Sequence, residues 1–170
     1  GNYIVTDPYY DEGATVDVGA VYLYNGSTHT VISTLKGSNT NDRIGVAGIT
    51  LLTNGNFVVQ SSTWNANRGA VTWVNGTTGL SGTVSSSNSF TGNNANDYVG
   101  YYLTPLTNGN YVIVSVFCSN GAITGAGAIT LGNGTTGTTG IVSSSNSLMG
   151  SSTNDFVGYS GSSNTVYALN

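Results

Sequence analysis

The sequence predicts an all-β protein of three four-stranded, β-propeller-like blades. One phrase, Leu-Thr-Asn-Gly-Asn followed by an aromatic residue and a short apolar strand, occurs at 52–59 and again at 106–113. A third copy is divided between the chain ends, which read Gly1-Asn2-Tyr3-Ile4-Val5 and Ala168-Leu169-Asn170. Four short strands recur in each copy of about 54 residues, which is typical of a propeller blade.

We expect one repeat domain divided into three blades at 1–54, 55–108 and 109–170. Each blade has four strand-like stretches. The opening strands are 2–5, 56–59 and 110–113, and the strands that begin with Gly-Ala are 19–24, 69–74 and 127–132. The third strands are expected at 30–35, 81–87 and 140–145, and the fourth at 49–52, 102–106 and 165–169.

The Gly-Ala strands alternate between apolar and polar residues, as half-buried strands do. Each one is followed by an Asn-Gly pair, at Asn25-Gly26, Asn75-Gly76 and Asn133-Gly134. Asn-Gly tolerates the positive φ angles of a tight hairpin, so we expect each pair to turn the chain back into the third strand. Gly and β-branched residues are too frequent for an amphipathic helix. The alternative architecture is a β-solenoid, whose coils are usually shorter.

The composition excludes several classes of function. The net charge is −4 and only three residues are basic, so neither a nucleic acid nor an anionic membrane surface is an expected partner. No apolar run reaches the roughly 20 residues that span a bilayer. A polar, uncharged exterior around strand-forming residues is typical of an extracellular or cell-surface protein. The chain lacks an initiator Met, so we expect a processed product or a piece of a longer protein.

An Asn-Asp pair precedes the fourth strand of every blade, and its aspartates are Asp42, Asp97 and Asp155. A short carboxylate can accept backbone N–H groups and fix a corner, so these residues are predicted to cap turns. The other predicted turn residues are the Asn-Gly pairs of the repeated phrase, Asn54-Gly55 and Asn108-Gly109.

Residues for catalysis or for a cofactor are scarce. The single histidine, His29, lies beside an Asn-Gly turn without a nucleophile motif, which favours a solvated loop residue over a general base. The single cysteine, Cys118, follows an apolar stretch and is expected to be a buried thiol. We therefore expect neither an enzyme nor a bound cofactor.

Four of the seven acids lie close together, and they could supply a calcium loop: Asp7, Asp11, Glu12 and Asp17. Their spacing matches no EF-hand, so a solvated acidic loop is the favoured interpretation. The Asn-Gly-Ser and Asn-Gly-Thr turns also have the form of glycosylation sequons.

Aromatic residues in equivalent loops suggest a carbohydrate site. Trp64 lies among amide side chains, Tyr9 and Tyr10 occupy the matching loop of the first blade, and Phe117 that of the third. A flat ring beside amides can hold a sugar face, and ligand binding requires these loops to gather on one face. Packing between blades is the alternative role for such rings, and Trp73 is expected to have it.

Several phrases resemble FG-GAP repeats, the blades of integrin α-type propellers. They are Asp7-Pro8-Tyr9-Tyr10, Asn41-Asp42-Arg43-Ile44-Gly45, Asn96-Asp97-Tyr98-Val99-Gly100 and Asn154-Asp155-Phe156-Val157-Gly158. Leu-Thr-Asn-Gly-Asn-Tyr and Gly-Ala-Val-Thr-Trp-x-Asn-Gly-Thr-Thr-Gly also resemble the Asn/Gly/Thr-rich repeats of large secreted bacterial adhesin-like proteins. FG-GAP blades often bind calcium through alternating aspartates. The matching turns here offer amides and one hydroxyl, so that calcium is not carried over.

Three blades are too few to close a ring. We therefore expect the repeats to associate with a second copy in a six-bladed ring, with further copies in a filament, or with further repeats of a longer chain. The resulting hypothesis is a non-enzymatic extracellular repeat module of an adhesin-like protein. The alternatives are a subunit of a structural filament and a carbohydrate-binding, lectin-like propeller.

Overall fold

The computed structural model describes residues 1–161 and 166–169 and has an all-β fold. In chain order its strands are β1 (Tyr3–Asp7), β2 (Ala20–Tyr24), β3 (Val31–Lys36), β4 (Gly48–Leu51), β5 (Phe57–Ser61), β6 (Ala70–Val74), β7 (Gly82–Thr83), β8 (Phe90–Thr91), β9 (Tyr102–Pro105), β10 (Tyr111–Ser115), β11 (Ala128–Gly132), β12 (Gly140–Ile141) and β13 (Leu148–Met149). The segment Trp64–Asn67 forms one turn. Asn65 and Ala66 have positive φ angles of 48° and 58° there, so it is no α-helix.

The strands form three sheets, one for each repeat. Sheet 1 has the order β1-β2-β3-β7, sheet 2 the order β4-β5-β6-β8-β12, and sheet 3 the order β9-β10-β11-β13. Nearly all neighbours are antiparallel, and the two parallel pairs, β3–β7 and β8–β12, are two residues long. This differs from the extensive parallel pairing of a parallel β-helix.

The sheets are not divided at the predicted blade boundaries. β4 precedes residue 54 but pairs with β5, and β9 precedes residue 108 but pairs with β10. The boundaries 54/55 and 108/109 therefore fall inside sheets, at the repeated Asn-Gly turns. Each of sheets 2 and 3 takes its first strand from the preceding segment.

The three sheets stack face to face around two apolar cores. In sheet 2, Phe57 and Val59 point toward sheet 1 and pack with Val21 and Leu23. On the opposite face, residues such as Val58 pack with Tyr111 and Ile113 of sheet 3. Adjacent strand residues point to opposite faces, which is why one strand supplies both cores.

After the Asn-Gly pairs of the second and third repeats, the third strands predicted at 81–87 and 140–145 are present only as the two-residue strands β7 and β12, and the predicted hairpin pairing is wrong. The chain leaves its own sheet, and β7 pairs in parallel with β3 of sheet 1, while β12 pairs in parallel with β8 of sheet 2. It then returns as β8 or β13. Only the first repeat has the predicted simple hairpin, between β2 and β3. The first repeat has the shorter connection between the Asn-Gly pair and the glycine that follows the returning strand. Gly37 lies 12 positions after Asn25, whereas Gly92 lies 17 positions after Asn75.

The reason that we gave for the Asn-Gly pairs is also wrong. Positive φ occurs four residues after the asparagine, at His29, Gly79 and Gly137, and not at the glycine of the pair. The N–H groups of His29, Gly79 and Gly137 bond back to the asparagine carbonyls. The paired glycines are required by close approach, since a Cβ at Gly76 would collide with the carbonyl oxygen of Gly55.

The fourth strand of the third repeat was expected at 165–169. Residue 165 lies outside the described residues, and Val166–Leu169 has no strand structure. Tyr167 and Leu169 are 81% and 88% exposed.

Replacing Gly76 with Ala tests the close approach. We expect Gly76→Ala to lower the free energy of unfolding by about 3 kcal/mol, because backbone must move to admit the methyl group. Gly121→Ala is the matched control, since Gly121 has φ of 61° and open space around it. Its loss should be about 1 kcal/mol, from left-handed strain alone. Urea denaturation of both variants gives the comparison, and equal losses would contradict the steric explanation.

Candidate functional site

The aspartate corners join each repeat to the next. The Asp97 side chain is buried, and its Oδ2 accepts the N–H groups of Asn93 and Asn94 at 3.0 and 2.7 Å. Its Oδ1 accepts the N–H of Ser119, in the following repeat, at 2.9 Å. A buried carboxylate needs this number of donors to offset its desolvation.

Asp42 has the same arrangement one repeat earlier. Its Oδ2 accepts the N–H groups of Ser38 and Asn39, and its Oδ1 accepts the N–H of Asn65 at 2.8 Å. The predicted role of these aspartates as turn caps is thus only half of what they do. The other half is a link to the loop of the following repeat.

Two further polar links recur at both joints. The N–H of Gly45 donates to Ser61 Oγ at 3.1 Å, and the N–H of Gly100 donates to Ser115 Oγ at 3.3 Å. At the other end of the sheets, Asn2 Nδ2 donates to the carbonyl oxygen of Gly76 at 2.9 Å.

The equivalent link at the second joint involves Asn56 Nδ2, which donates to the Gly134 carbonyl oxygen at 3.2 Å. Asn54 Nδ2 donates to the same oxygen at 2.8 Å. The predicted turn residue Asn54 therefore also serves the joint. Gly55 and Gly109 have positive φ, as tight turns require.

The outer sides of sheet 1 and sheet 3 are here called the end faces. Among the described residues, each end face carries donors or acceptors that correspond to these links but have no partner group. Asp155 Oδ2 accepts the N–H groups of Ser151 and Ser152 at 2.9 and 2.7 Å, as its equivalents do. Among the described residues, nothing donates to its Oδ1. By repeat alignment, the N–H of Asp11 corresponds to those of Asn65 and Ser119.

The two other links have counterparts as well. Gly158 corresponds to Gly45 and Gly100, and Asp7 corresponds to Ser61 and Ser115. Asn110 corresponds to Asn2 and Asn56, and Gly26 corresponds to Gly76 and Gly134. At the internal joints, the donor and the acceptor of each link bond to each other. At the end faces, one of the two groups lies on the outer side of sheet 1 and the other lies on the outer side of sheet 3.

The end faces are also apolar. The outer face of sheet 3 presents Leu131 and Leu148, which are 63% and 67% exposed. The outer face of sheet 1 presents Tyr3 and Val5, and the Tyr3 ring stacks on that of Tyr24 at 5.1 Å. At the internal joints, the equivalent positions of the other repeats pack against each other.

The acidic loop is held by ion pairs and by its own backbone. Glu12 pairs with Lys36, and Asp17 accepts two hydrogen bonds from Arg43, at 2.7 and 3.1 Å. Asp11 Oδ1 accepts the N–H of Asp17. The described part of the chain has no group of three or more His, Cys, Asp or Glu side chains that could hold a metal ion.

The four predicted ligand-contact residues have different settings in the structure. Trp64 is 8% exposed and belongs to the core between sheets 1 and 2, so its ring is not free to stack on a sugar. Tyr9 is 65% exposed and lies beneath the guanidinium of Arg43. Tyr10 is half-buried, with its ring edge-on to that of Tyr22.

Phe117 is the centre of an aromatic cluster that sequence reasoning did not identify. Its ring contacts those of Tyr98, Tyr101 and Phe156, with centroids 5.8, 5.2 and 6.0 Å apart. Phe117 and Tyr101 are 37% and 40% exposed. The aromatic residues that follow Asp97 and Asp155 were visible in the sequence, but nothing there indicated that they meet the Phe117 loop.

The single histidine, His29, and the single cysteine, Cys118, are the two residues with potential for catalysis, and the fold accounts for the position of each. His29 has a φ of 56° at the position where the other repeats have glycine, and its ring lies near that of Tyr3. Cys118 is fully buried, as predicted, and this burial raises the pKa of its thiol to about 12. Within the described residues, no helix is long and apolar enough to cross a membrane.

The aspartate joint can be tested by comparing two aspartates of the same motif. Asp97→Ala should lower the free energy of unfolding by about 3 kcal/mol, because three backbone N–H groups lose a charged acceptor in a buried site. Asp155→Ala should cost clearly less, because its carboxylate is exposed and serves only its own corner. Thermal and urea denaturation measure both losses. Equal losses would mean that Asp97 is a turn cap only.

The repeats seen in the structure match a known family. The family described as a repeat of unknown function (DUF5650) matches residues 1–46, 51–101 and 105–159. None of the curated proteins compared with the chain matches it. The match supports a three-fold repeat and gives no support for FG-GAP or integrin-type repeats. Because the three matches cover most of its length, the chain belongs to the DUF5650 repeat family.

Proposed function

We propose that this chain is a non-enzymatic, β-propeller-like repeat module of an extracellular, adhesin-like protein, and that it associates end to end through its repeats. One observation carries the proposal. Among the described residues, each of the three recurring polar links (aspartate to loop N–H, glycine N–H to serine, and asparagine to glycine carbonyl) has an unused acceptor or donor on one end face and the matching group on the other. A second copy placed sheet 3 against sheet 1 would repeat the internal joint.

The apolar residues of the end faces favour the same arrangement. At the internal joints, positions equivalent to Leu131 are Leu23 and Trp73, which are buried or half-buried against the next sheet. Large exposed apolar patches on a soluble protein usually mark an interaction surface. Because the two faces differ, the contact is heterologous, and such contacts produce rings or filaments.

The proposal predicts reversible association in solution. Light scattering after size exclusion should give a molar mass above 17.3 kDa that rises with concentration. Leu131→Lys should weaken association about tenfold or more, because it places a charge in the apolar contact. Val16→Lys is the control, since Val16 is a 51% exposed loop residue outside the strands that form the two faces.

A charge-pair experiment makes the test specific for the two faces. Val5→Asp alone should also weaken association, and a mixture of Leu131→Lys and Val5→Asp proteins should form a mixed dimer. A wild-type chain that stays monomeric at every concentration would contradict the proposal.

Carbohydrate binding is a second candidate, and the aromatic cluster around Phe117 favours it. Four rings in edge-to-face contact form a partly exposed apolar surface, and the corner loops that carry Tyr98 and Phe156 also contain Asn96 and Asn154. Flat aromatic surfaces with nearby hydrogen-bonding groups suit the faces of neutral sugars. Tyr9, with Arg43 above its ring, holds the equivalent position in the first repeat.

A titration with neutral oligosaccharides, using cellohexaose and chitohexaose as probes, tests this candidate. Binding followed by calorimetry should be lost in Phe117→Ala and kept in Tyr167→Ala, whose ring is exposed outside the cluster. If neither sugar binds, or if both variants bind equally well, the cluster is a packing feature of the corner loops.

A further inference from the structure

Sheet 2 has a cavity at the edge where β12 crosses over from the third repeat. The cavity has a volume of about 230 Å³. The lining residues that matter for its chemistry are Trp64, Asn65, Arg68, Ser86, Asn93 and Ile141. None of them belongs to sheet 1, to sheet 3 or to the aromatic cluster around Phe117. The cavity is therefore a different site from those considered above.

Four polar side chains at the cavity make no hydrogen bond within the part of the chain that the structure describes, and they are Asn65, Arg68, Ser86 and Asn93. The main chain at these positions is nevertheless fixed. The N–H of Asn65 donates to Asp42, and that of Asn93 donates to Asp97. The Arg68 carbonyl accepts the N–H of Val99 at 3.0 Å. The backbone thus holds these residues in place while their side chains stay free to bind a ligand.

Arg68 differs from the other two basic residues because it has no carboxylate partner. Lys36 pairs with Glu12, and Arg43 pairs with Asp17. Within residues 1–161 and 166–169, the half-buried Arg68 side chain forms no ion pair. Its guanidinium therefore brings an unpaired positive charge to the cavity.

Two buried carboxylates behind the same loops oppose an anion in the cavity. They are Asp42 and Asp97, which accept the N–H groups of Asn65 and Asn93. Each of the two accepts three backbone N–H groups in all, so its charge is already partly offset. Arg68 has to offset the remainder. We therefore expect an anion to bind with modest affinity, and to depend strongly on the hydrogen bonds of Arg68.

Trp64 adds a buried donor that lacks an acceptor. The residue is 8% exposed, and its Nε1 has no hydrogen-bond partner among the described residues. The other tryptophan, Trp73, donates its Nε1–H to the Gly134 carbonyl oxygen at 2.9 Å. An unpaired buried donor costs about 1–3 kcal/mol, and most buried donors are paired. Because its ring packs in the core, Trp64 would offer a ligand its N–H rather than its face.

We propose that this cavity binds a uronic acid through its carboxylate, and that Arg68 recognises the carboxylate. A guanidinium presents a planar fork of N–H donors that matches a carboxylate. The amides of Asn65 and Asn93 can both donate to and accept from sugar hydroxyls. The volume is below the roughly 300–1,000 Å³ of pockets for drug-sized ligands, so it suits one sugar unit. The inference does not rest on the end-to-end association proposed above.

Nuclear magnetic resonance of the ¹⁵N-labelled chain gives a direct test. The probes are D-galacturonate and D-glucuronate, and D-galactose and D-glucose are their neutral counterparts. The chain has two indole N–H signals, from Trp64 and Trp73, and the variant Trp73→Phe assigns them. At least one uronate should shift the Trp64 signal with a Kd in the millimolar range, because the ligand is small. The neutral sugars should leave that signal in place.

Substitution of Arg68 tests the residue that recognises the carboxylate. Arg68→Gln should raise the Kd about tenfold or more, because it removes the charge and the fork of donors. Arg68→Lys keeps the charge without the fork and should bind between the two. Lys36→Gln is the control for net charge, since Lys36 pairs with Glu12 and should not alter the Kd. Thermal unfolding should be almost unchanged in both Arg68 variants, whose side chain has no partner within the described residues.

The other outcomes would each overturn a part of the proposal. If the neutral sugars shift the Trp64 signal as the uronates do, the carboxylate is not what the cavity recognises. If Arg68→Gln binds a uronate as tightly as the wild-type chain, the role of Arg68 is wrong. If neither uronate shifts the Trp64 signal at concentrations far above the expected Kd, the cavity is a hydrated space between loops and the proposal is wrong.

Discussion

The structure depends on one carboxylate that is shared between two successive repeats. At Asp42 and Asp97, a single buried side chain satisfies backbone N–H groups of its own corner and one of the next loop. Because an ionised carboxylate is costly to bury without donors, the corner and the following loop must keep their relative positions. The corner therefore fixes the spacing of the sheets, and the apolar cores form within that spacing.

The sheet cores were predictable, while the path between strands was not. Alternation in the Gly-Ala strands identified their buried faces, and the repeated Asn-Gly phrase located the turns between β4 and β5 and between β9 and β10. The short length of β7 and β12 and their parallel pairing with the neighbouring sheet escaped prediction, because a strand of two residues carries no periodicity. The role of Gly76 was predicted wrongly for another reason. A close backbone approach and a tight turn both require glycine, so the residue type alone does not distinguish them.

The site was predictable where its contacts are local. An aspartate three or four residues from the N–H groups that it caps can be recognised in a sequence, as Asp97 was. Its bond to Ser119 depends on how two repeats stack, and no local pattern encodes that distance. The same applies to aromatic rings: Trp64 is buried and Phe117 is partly exposed, although both follow an equivalent strand.

The first repeat determines how strong a contact between copies can be. Its Asn25–Gly37 connection is too short to send a strand across, so a preceding sheet 3 would receive no partner for β13. Asp11 stands where Asn65 and Ser119 lie, which would bring its carboxylate near Asp155. The joint between copies would thus keep the polar links and the apolar faces but lack the parallel strand. It should therefore be weaker than the internal joints, which suits an association that is reversible while the chain stays folded.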